Sequence, residues 1–180
     1  MKKILSLCLV FCLFLTLAAC GRNDKKGELS VDVEYYAKLG TMPECEYVLG
    51  GDVNETESAL STSVVDDHGE ANYYSYESGN KTVMTDGTYC CCYETENVAA
   101  GITHIVKYGD SYGFKQGTVS TVIREAMADA GFDSEERDAR EGELFFIPGG
   151  TTLTVLQYDI KENTVLFVFQ ENALSASVIY

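Results

Sequence analysis

The fold prediction rests on TTLTVLQYDIKENTVLFVF, residues 151–169. Residues 151–158 and 164–169 are rich in β-branched and aromatic side chains, which favour strands. Between them Lys161-Glu162-Asn163 predicts a loop. Residues 176–179 predict one more short strand. The C-terminal end of the chain is therefore predicted to form antiparallel β-structure.

An amphipathic helix is predicted before these strands. Its apolar stripe has helical spacing and consists of Val119, Val122, Ile123, Ala126, Met127 and Ala130. Gly131 follows at a position typical of a C-terminal cap. Residues 143–147 predict a strand, and Pro148-Gly149-Gly150 predicts a turn. This half of the chain thus predicts a helix followed by a β-meander.

The preceding half has the same predicted order. Residues 52–63 predict a weaker helix, which Asp52 or Asn54 would cap. The predicted strands are residues 72–77, 81–85, 88–95 and 102–108. Asp86-Gly87 is typical of a two-residue hairpin turn. The predicted fold class is α+β, with two tandem repeats that each contain a helix followed by an antiparallel β-meander.

The N-terminal residues predict a secretory signal. Lys2 and Lys3 precede the nearly apolar residues 4–19, and the segment ends Leu17-Ala18-Ala19-Cys20. The apolar run is shorter than the ~20 residues that a membrane-spanning helix needs. Its end resembles the lipobox of bacterial lipoproteins. The resemblance implies cleavage before Cys20, a diacylglycerol on that sulfur, and a location at the extracytoplasmic face of the cell membrane.

Four segments follow from these observations. They are a signal peptide (1–19), a lipidated cysteine with a polar tether (20–30), and two α+β modules (31–110 and 111–180). The element order of the modules resembles the tandem modules of β-lactamase inhibitory protein and the peptidase-propeptide modules of secreted bacterial proteins. This resemblance implies a binding or inhibitory role.

The charge balance restricts the class of partner. The chain carries 28 acidic and 13 basic residues, a formal net charge of −15 at pH 7. No cationic stripe exists to neutralise phosphates, so the composition predicts no nucleic-acid binding. High net charge also keeps a surface protein soluble, and it favours a basic partner over an acidic one.

The cysteines after the signal leave several chemistries open. Cys90, Cys91 and Cys92 are consecutive in a predicted strand, so Cys90 and Cys92 share one face and Cys91 points to the other. They are interpreted as buried core thiols, and the alternative is that one of the three forms a disulfide with Cys45. Redox or metal chemistry is a further alternative, although the spacing of a zinc site is absent. No metal or other cofactor is predicted.

The histidines and sequence motifs do not predict catalysis. His68 lies in an acidic string that predicts a solvated loop, and His104 lies in an apolar predicted strand. The sequence contains no Gly-x-Ser-x-Gly, phosphate-binding loop or dinucleotide fingerprint. We therefore expect that the protein is not an enzyme and has no catalytic residues.

Tyrosines mark a candidate contact surface. Every aromatic residue from Tyr35 to Tyr112 is tyrosine, a residue enriched where proteins meet. Tyr74 and Tyr76 would project from one side of a strand and Tyr73 from the other, and the alternative is ordinary covering of a core. The leading hypothesis is a lipid-anchored module that binds a protein or peptide. The alternatives are a thiol-dependent enzyme or redox protein and a structural envelope-assembly lipoprotein.

Overall fold

One antiparallel sheet connects the two halves of the chain. The computed structural model describes residues 31–63, 73–147 and 153–180, and within them eight strands form a single sheet. The strands are β1 (Tyr74–Ser78), β2 (Lys81–Thr85), β3 (Tyr89–Glu94), β4 (His104–Tyr108), β5 (Glu135–Asp138), β6 (Leu153–Ile160), β7 (Asn163–Gln170) and β8 (Ala173–Ile179). Their spatial order is β1-β2-β3-β4-β8-β7-β6-β5, which makes β1 and β5 the edges.

Three short α-helices accompany the sheet in the described ranges. They are α1 (Val33–Leu39), α2 (Val53–Ser63) and α3 (Ser120–Asp129), and a 3-10 turn covers Val98–Ala100. Asp52 caps α2, since its Oδ1 accepts a hydrogen bond from Glu55 N at 2.9 Å. Helix α1 packs on β6 and β7 and was not predicted, because seven residues are too few to display a helical period. None of these helices is long and apolar enough to span a membrane.

The predicted fold class of two tandem helix-plus-meander repeats is wrong. The last strands of the two expected meanders, β4 and β8, pair side by side from Ile105↔Ile179 to Tyr108↔Ala176. The N–H and C=O groups along the outer sides of β4 and β8 would otherwise be unpaired, and they form hydrogen bonds with each other. The strands therefore form one continuous sheet instead of two separate ones. The molecule is dominated by this sheet, and the short helices are additions to it.

Apolar layers cover both faces of the sheet. The helix layer lies between the sheet and the helices, and its fully buried side chains include Leu60, Ile123, Tyr158, Phe167 and Phe169. The opposite face is crossed by residues 141–147, which we call the strap. Phe146 of the strap is buried against β-strand residues that include Cys90, Cys92, Val155 and Val168, and this cluster is the strap layer.

The conformation of the strap differs from the predicted one. Residues 143–147 were predicted as a strand because Leu-Phe-Phe-Ile is a continuous apolar run, but they form turns. The apolar run correctly indicates that these residues pack on the core. It does not determine their backbone conformation, since a short apolar segment does not distinguish a strand from another buried structure. The signal peptide, the tether with Cys20, His68 and the turn at 148–150 lie outside the described residues.

Candidate functional site

The candidate site is the outer edge of the sheet at β1. The side chains of Tyr74 and Tyr76 are 57% and 36% exposed, and they lie on the same side of the strand. Their rings stack with centroids 6.2 Å apart and an interplanar angle of 19°. We call these two rings, together with the backbone of β1, the tyrosine edge.

The third candidate tyrosine lies apart from this pair. Tyr73 directly precedes β1, and its hydroxyl donates a hydrogen bond to Glu57 Oε1 on α2 at 2.8 Å. It packs against the helix layer, on the face opposite to the stacked rings. The structure thus brings Tyr74 and Tyr76 together and separates Tyr73 from them, as the alternation of side chains in a strand predicts.

The backbone of β1 is available on its outer side. Gly79 and Asn80 form a two-residue loop to β2, and the φ of +63° at Gly79 suits the first position of a type II′ turn. The residues that flank such a loop, Ser78 and Lys81, exchange hydrogen bonds with each other, and this pairing recurs at every second residue. The N–H and C=O groups of Ser75 and Glu77 therefore point away from β2. In the described parts of the chain, no strand pairs with them.

The strap supports the stacked rings from below. The Tyr76 hydroxyl donates a hydrogen bond to Phe146 O at 3.4 Å, and Tyr108 donates to the same carbonyl at 2.9 Å. Burial raises the pKa of Tyr76 to about 12, so this phenol is neutral at physiological pH. The strap therefore holds the Tyr76 ring in place, and the Tyr74 ring stacks on it.

The opposite edge of the sheet has different chemistry. Strand β5 reads Glu-Glu-Arg-Asp, and two of its charged side chains are engaged in ion pairs. Arg124 contacts Glu136, and Arg137 forms a two-pronged pair with Glu143 at 2.5 and 2.7 Å. Charged side chains protect an edge strand against pairing with another chain. Of the two edges, β1 is the one suited to accept a further strand.

Comparisons with known proteins do not identify the chain. No family model, curated protein or solved structure matches it. Membership of the bacterial lipoproteins and the resemblance to tandem inhibitory modules therefore stay predictions.

The cysteines divide between the two faces of the sheet. Cys90 and Cys92 lie in the strap layer with their sulfurs 3.7 Å apart, whereas Cys91 lies in the helix layer. This confirms the predicted alternation along β3. Cys45 packs against the helix layer, so Cys91 is the member of the triplet on its side of the sheet. All four are free thiols in this structure, and the disulfide from Cys45 stays a prediction.

The environment of Cys45, Cys91 and Cys92 disfavours the ionised form of their thiols. Burial raises the pKa of Cys45 and raises that of Cys91 well above its usual range. The hydrogen bond with Cys90, together with burial, raises the pKa of Cys92. Burial also lowers the pKa of His104 to about 4. Its ring lies 5.4 Å from that of Phe145 and 5.2 Å from that of Tyr180. Burial therefore disfavours the imidazolium of His104 as well as these three thiolates at neutral pH.

Metal ligands do not cluster in the described residues. No group of three or more His, Cys, Asp or Glu side chains there lies close enough together to hold an ion.

The tyrosine edge was only partly predictable from sequence. The alternating tyrosines indicated the two rings, but the position of β1 at the edge depends on strand order, which no local pattern reveals.

Proposed function

We propose that the protein is a non-catalytic, lipid-anchored binding module on the extracytoplasmic face of a bacterial cell membrane. Its tyrosine edge would bind an extended, basic segment of a partner protein. The observation that supports this proposal is the edge strand with Tyr74 and Tyr76 stacked beside backbone groups that no strand of the described residues pairs with.

Backbone pairing supplies the first part of the recognition. An extended peptide adds a strand to an exposed sheet edge through main-chain hydrogen bonds, a recurrent mode of peptide binding. The outward N–H and C=O groups of Ser75 and Glu77 are the ones that such a strand would meet. Because main-chain bonds carry no sequence information, the specificity has to come from neighbouring side chains.

Charge and aromatic faces supply the second part. The net charge of −15 attracts basic segments over long range. Lys and Arg side chains are attracted to the faces of tyrosine rings. A cationic side chain that projects from the added strand would contact Tyr74 and Tyr76 while its backbone pairs with β1.

The N-terminal sequence supplies the location. Lipidation of Cys20 would anchor the chain, and ten tether residues would reach at most about 35 Å from the membrane surface. Intact-mass measurement of protein from a host that processes lipoproteins checks this part. We expect the loss of residues 1–19 and the added mass of a diacylglycerol on Cys20. An unmodified Cys20 in an unprocessed chain would contradict the anchor.

Peptide titration tests the binding site. The full chain is purified in mild detergent and titrated with the capped heptapeptide Lys-Val-Lys-Val-Lys-Val-Lys, or with the same design carrying Glu in place of Lys. We expect Tyr74→Ser combined with Tyr76→Ser to weaken binding of the basic peptide about tenfold, which two cation–π contacts explain. Equal binding of both peptides would contradict the proposal.

Two further variants separate the contributions. Ser75→Pro removes one outward N–H while leaving the bonds to β2, so it should weaken binding without loss of folding. Tyr35→Ser is the matched control, because Tyr35 is 55% exposed but lies on α1. It should bind like the original chain. If the edge variants and Tyr35→Ser behaved alike, the tyrosine edge would not be the site.

A further inference from the structure

A pocket of about 300 Å³ opens between the loop that follows α1 and the loop that follows β4. Its walls include Glu44, Lys107, Asp110, Tyr112, Phe114 and Lys115. None of the lining residues belongs to the tyrosine edge, so the pocket is a separate feature. Its volume lies at the lower end of the range for small-molecule sites.

Lys107 supplies a nearly buried positive charge in this pocket. Its side chain is 12% exposed, and its Nζ donates a hydrogen bond to Glu44 Oε2 at 3.2 Å. The same ammonium lies 5.5 Å from the centre of the Tyr89 ring. An ammonium has three N–H donors, and among the described residues Glu44 is the one hydrogen-bond acceptor that Lys107 has. Donor capacity therefore remains for an anionic group in the pocket.

The rim of the pocket supplies negative charge. Asp110 accepts hydrogen bonds from Lys115 Nζ at 2.6 Å and from Gln116 N at 2.8 Å. Both side chains of the Asp110–Lys115 pair are well exposed, and exposed pairs of this kind are weak. A carboxylate has about four lone-pair positions, so Asp110 retains acceptor capacity for an incoming cation.

The remaining wall is apolar and aromatic. Phe114 and the buried Tyr112 both pack against Phe167 of β7, which holds their rings in place. The Tyr112 hydroxyl is buried and has no hydrogen-bond partner in the part of the chain that the structure describes. An apolar surface beside charged side chains of both signs suits a small molecule that carries both charges and an apolar body.

We propose that this pocket binds a free amino acid with an apolar side chain. The ligand carboxylate would bind Lys107, its ammonium would bind Asp110, and its side chain would pack on Phe114. A simple anion would meet the carboxylates of Glu44 and Asp110, and a simple cation would meet the ammonium groups of Lys107 and Lys115. A zwitterion brings no net charge to this mixed lining, and each of its two charged groups has a partner of opposite sign.

Titration calorimetry on the full chain in mild detergent tests this assignment. The probes are L-leucine, L-methionine and L-phenylalanine, followed by N-acetyl-L-leucine, which lacks the ammonium, and L-leucinamide, which lacks the carboxylate. We expect at least one free amino acid to bind and both analogues to bind at least tenfold more weakly than L-leucine. The absence of binding for all three amino acids up to about 10 mM would overturn the proposal. So would equal binding of L-leucine and its analogues.

Charge variants locate the binding in the pocket. Lys107→Met should weaken amino-acid binding at least tenfold, whereas Lys161→Met, whose exposed side chain pairs with Glu34 elsewhere, should not change it. Asp110→Asn changes an exposed side chain, so it provides the test if Lys107→Met fails to fold. Unchanged binding in Asp110→Asn and in any folded Lys107→Met protein would overturn the proposal. Variants of Tyr74 and Tyr76 leave this pocket intact, so its failure and that of the tyrosine edge are distinguishable.

Discussion

Replacement of Gly101 by alanine should destabilise the protein strongly. Gly101 follows the 3-10 turn Val98–Ala100 with φ +74° and ψ −162°, a conformation that is essentially restricted to glycine. A Cβ at this position would lie 2.6 Å from Gly50 O and 2.7 Å from Gly51 O. Both contacts are to backbone atoms, so the two chain segments would have to separate.

The magnitude follows from what this separation disrupts. Gly50 N donates to Ile102 O at 2.7 Å, and Ile102 N donates to Gly51 O at 3.1 Å. Each hydrogen bond contributes about 1 kcal/mol, and the unfavourable backbone conformation costs about 1–3 kcal/mol. The expected loss is about 3–5 kcal/mol of unfolding free energy. For a chain of this size it corresponds to a decrease in Tm of about 6–20 °C.

Urea unfolding of the full chain, followed by circular dichroism, measures this loss. Gly50→Ala is the matched control, because Gly50 also has φ +74°, but a Cβ added there would meet nothing within 4 Å. Its expected cost is about 1–2 kcal/mol, from the backbone conformation alone. If Gly101→Ala were no less stable than Gly50→Ala, the close approach would not be a determinant of stability.

Three other predictions concern single side chains. The Arg137 guanidinium lowers the pKa of Glu143, so their pair stabilises the fold above about pH 4.3 and loses this effect as the pH falls through the lower folded-state pKa. Glu143→Gln should therefore cost about 1.5–3 kcal/mol at pH 7 and reduce the loss of stability on acidification. Urea unfolding at pH 7 and pH 3 measures both effects, and a pH dependence equal to that of the original chain would contradict the prediction. Phe167→Ala, at a fully buried position, should cost about 3–5 kcal/mol in the same assay, and a loss below about 1 kcal/mol would contradict the packing described. Asp86→Ala removes a carboxylate oxygen that accepts from Thr88 N and Tyr89 N, both at 2.8 Å, and thermal unfolding should show a loss of about 1.5–3 kcal/mol rather than no change.

Local sequence patterns predicted most of the individual elements. The apolar stripe predicted α3, and Asp86-Gly87 predicted the hairpin of β2 and β3, although the pairing of Thr85 with Cys90 makes the loop longer than these two residues. These features depend on side chains a few residues apart, so the sequence contains them directly. The bounds of β2 agree with the prediction at both ends.

Long-range pairing accounts for what the patterns missed. The pairing of β4 with β8 joins segments more than 60 residues apart, and no periodicity encodes it. The same limitation concealed the tyrosine edge, because β1 becomes an edge only through the order of the other strands. The pocket around Lys107 combines residues from distant loops, and its charges are individually unremarkable in so acidic a sequence.

The triplet of thiols in β3 makes this strand an internal reporter of local opening. Cys90 and Cys92 lie beneath the strap, whereas Cys91 lies beneath the helices, although all three share the same short strand. A pulse of alkylating reagent would label Cys90 and Cys92 if the strap detached alone. It would label Cys91 if the helices detached first. The alkylation rate of each cysteine, read by peptide mass spectrometry, would thus give the rate of local opening on each face of the sheet without any introduced probe.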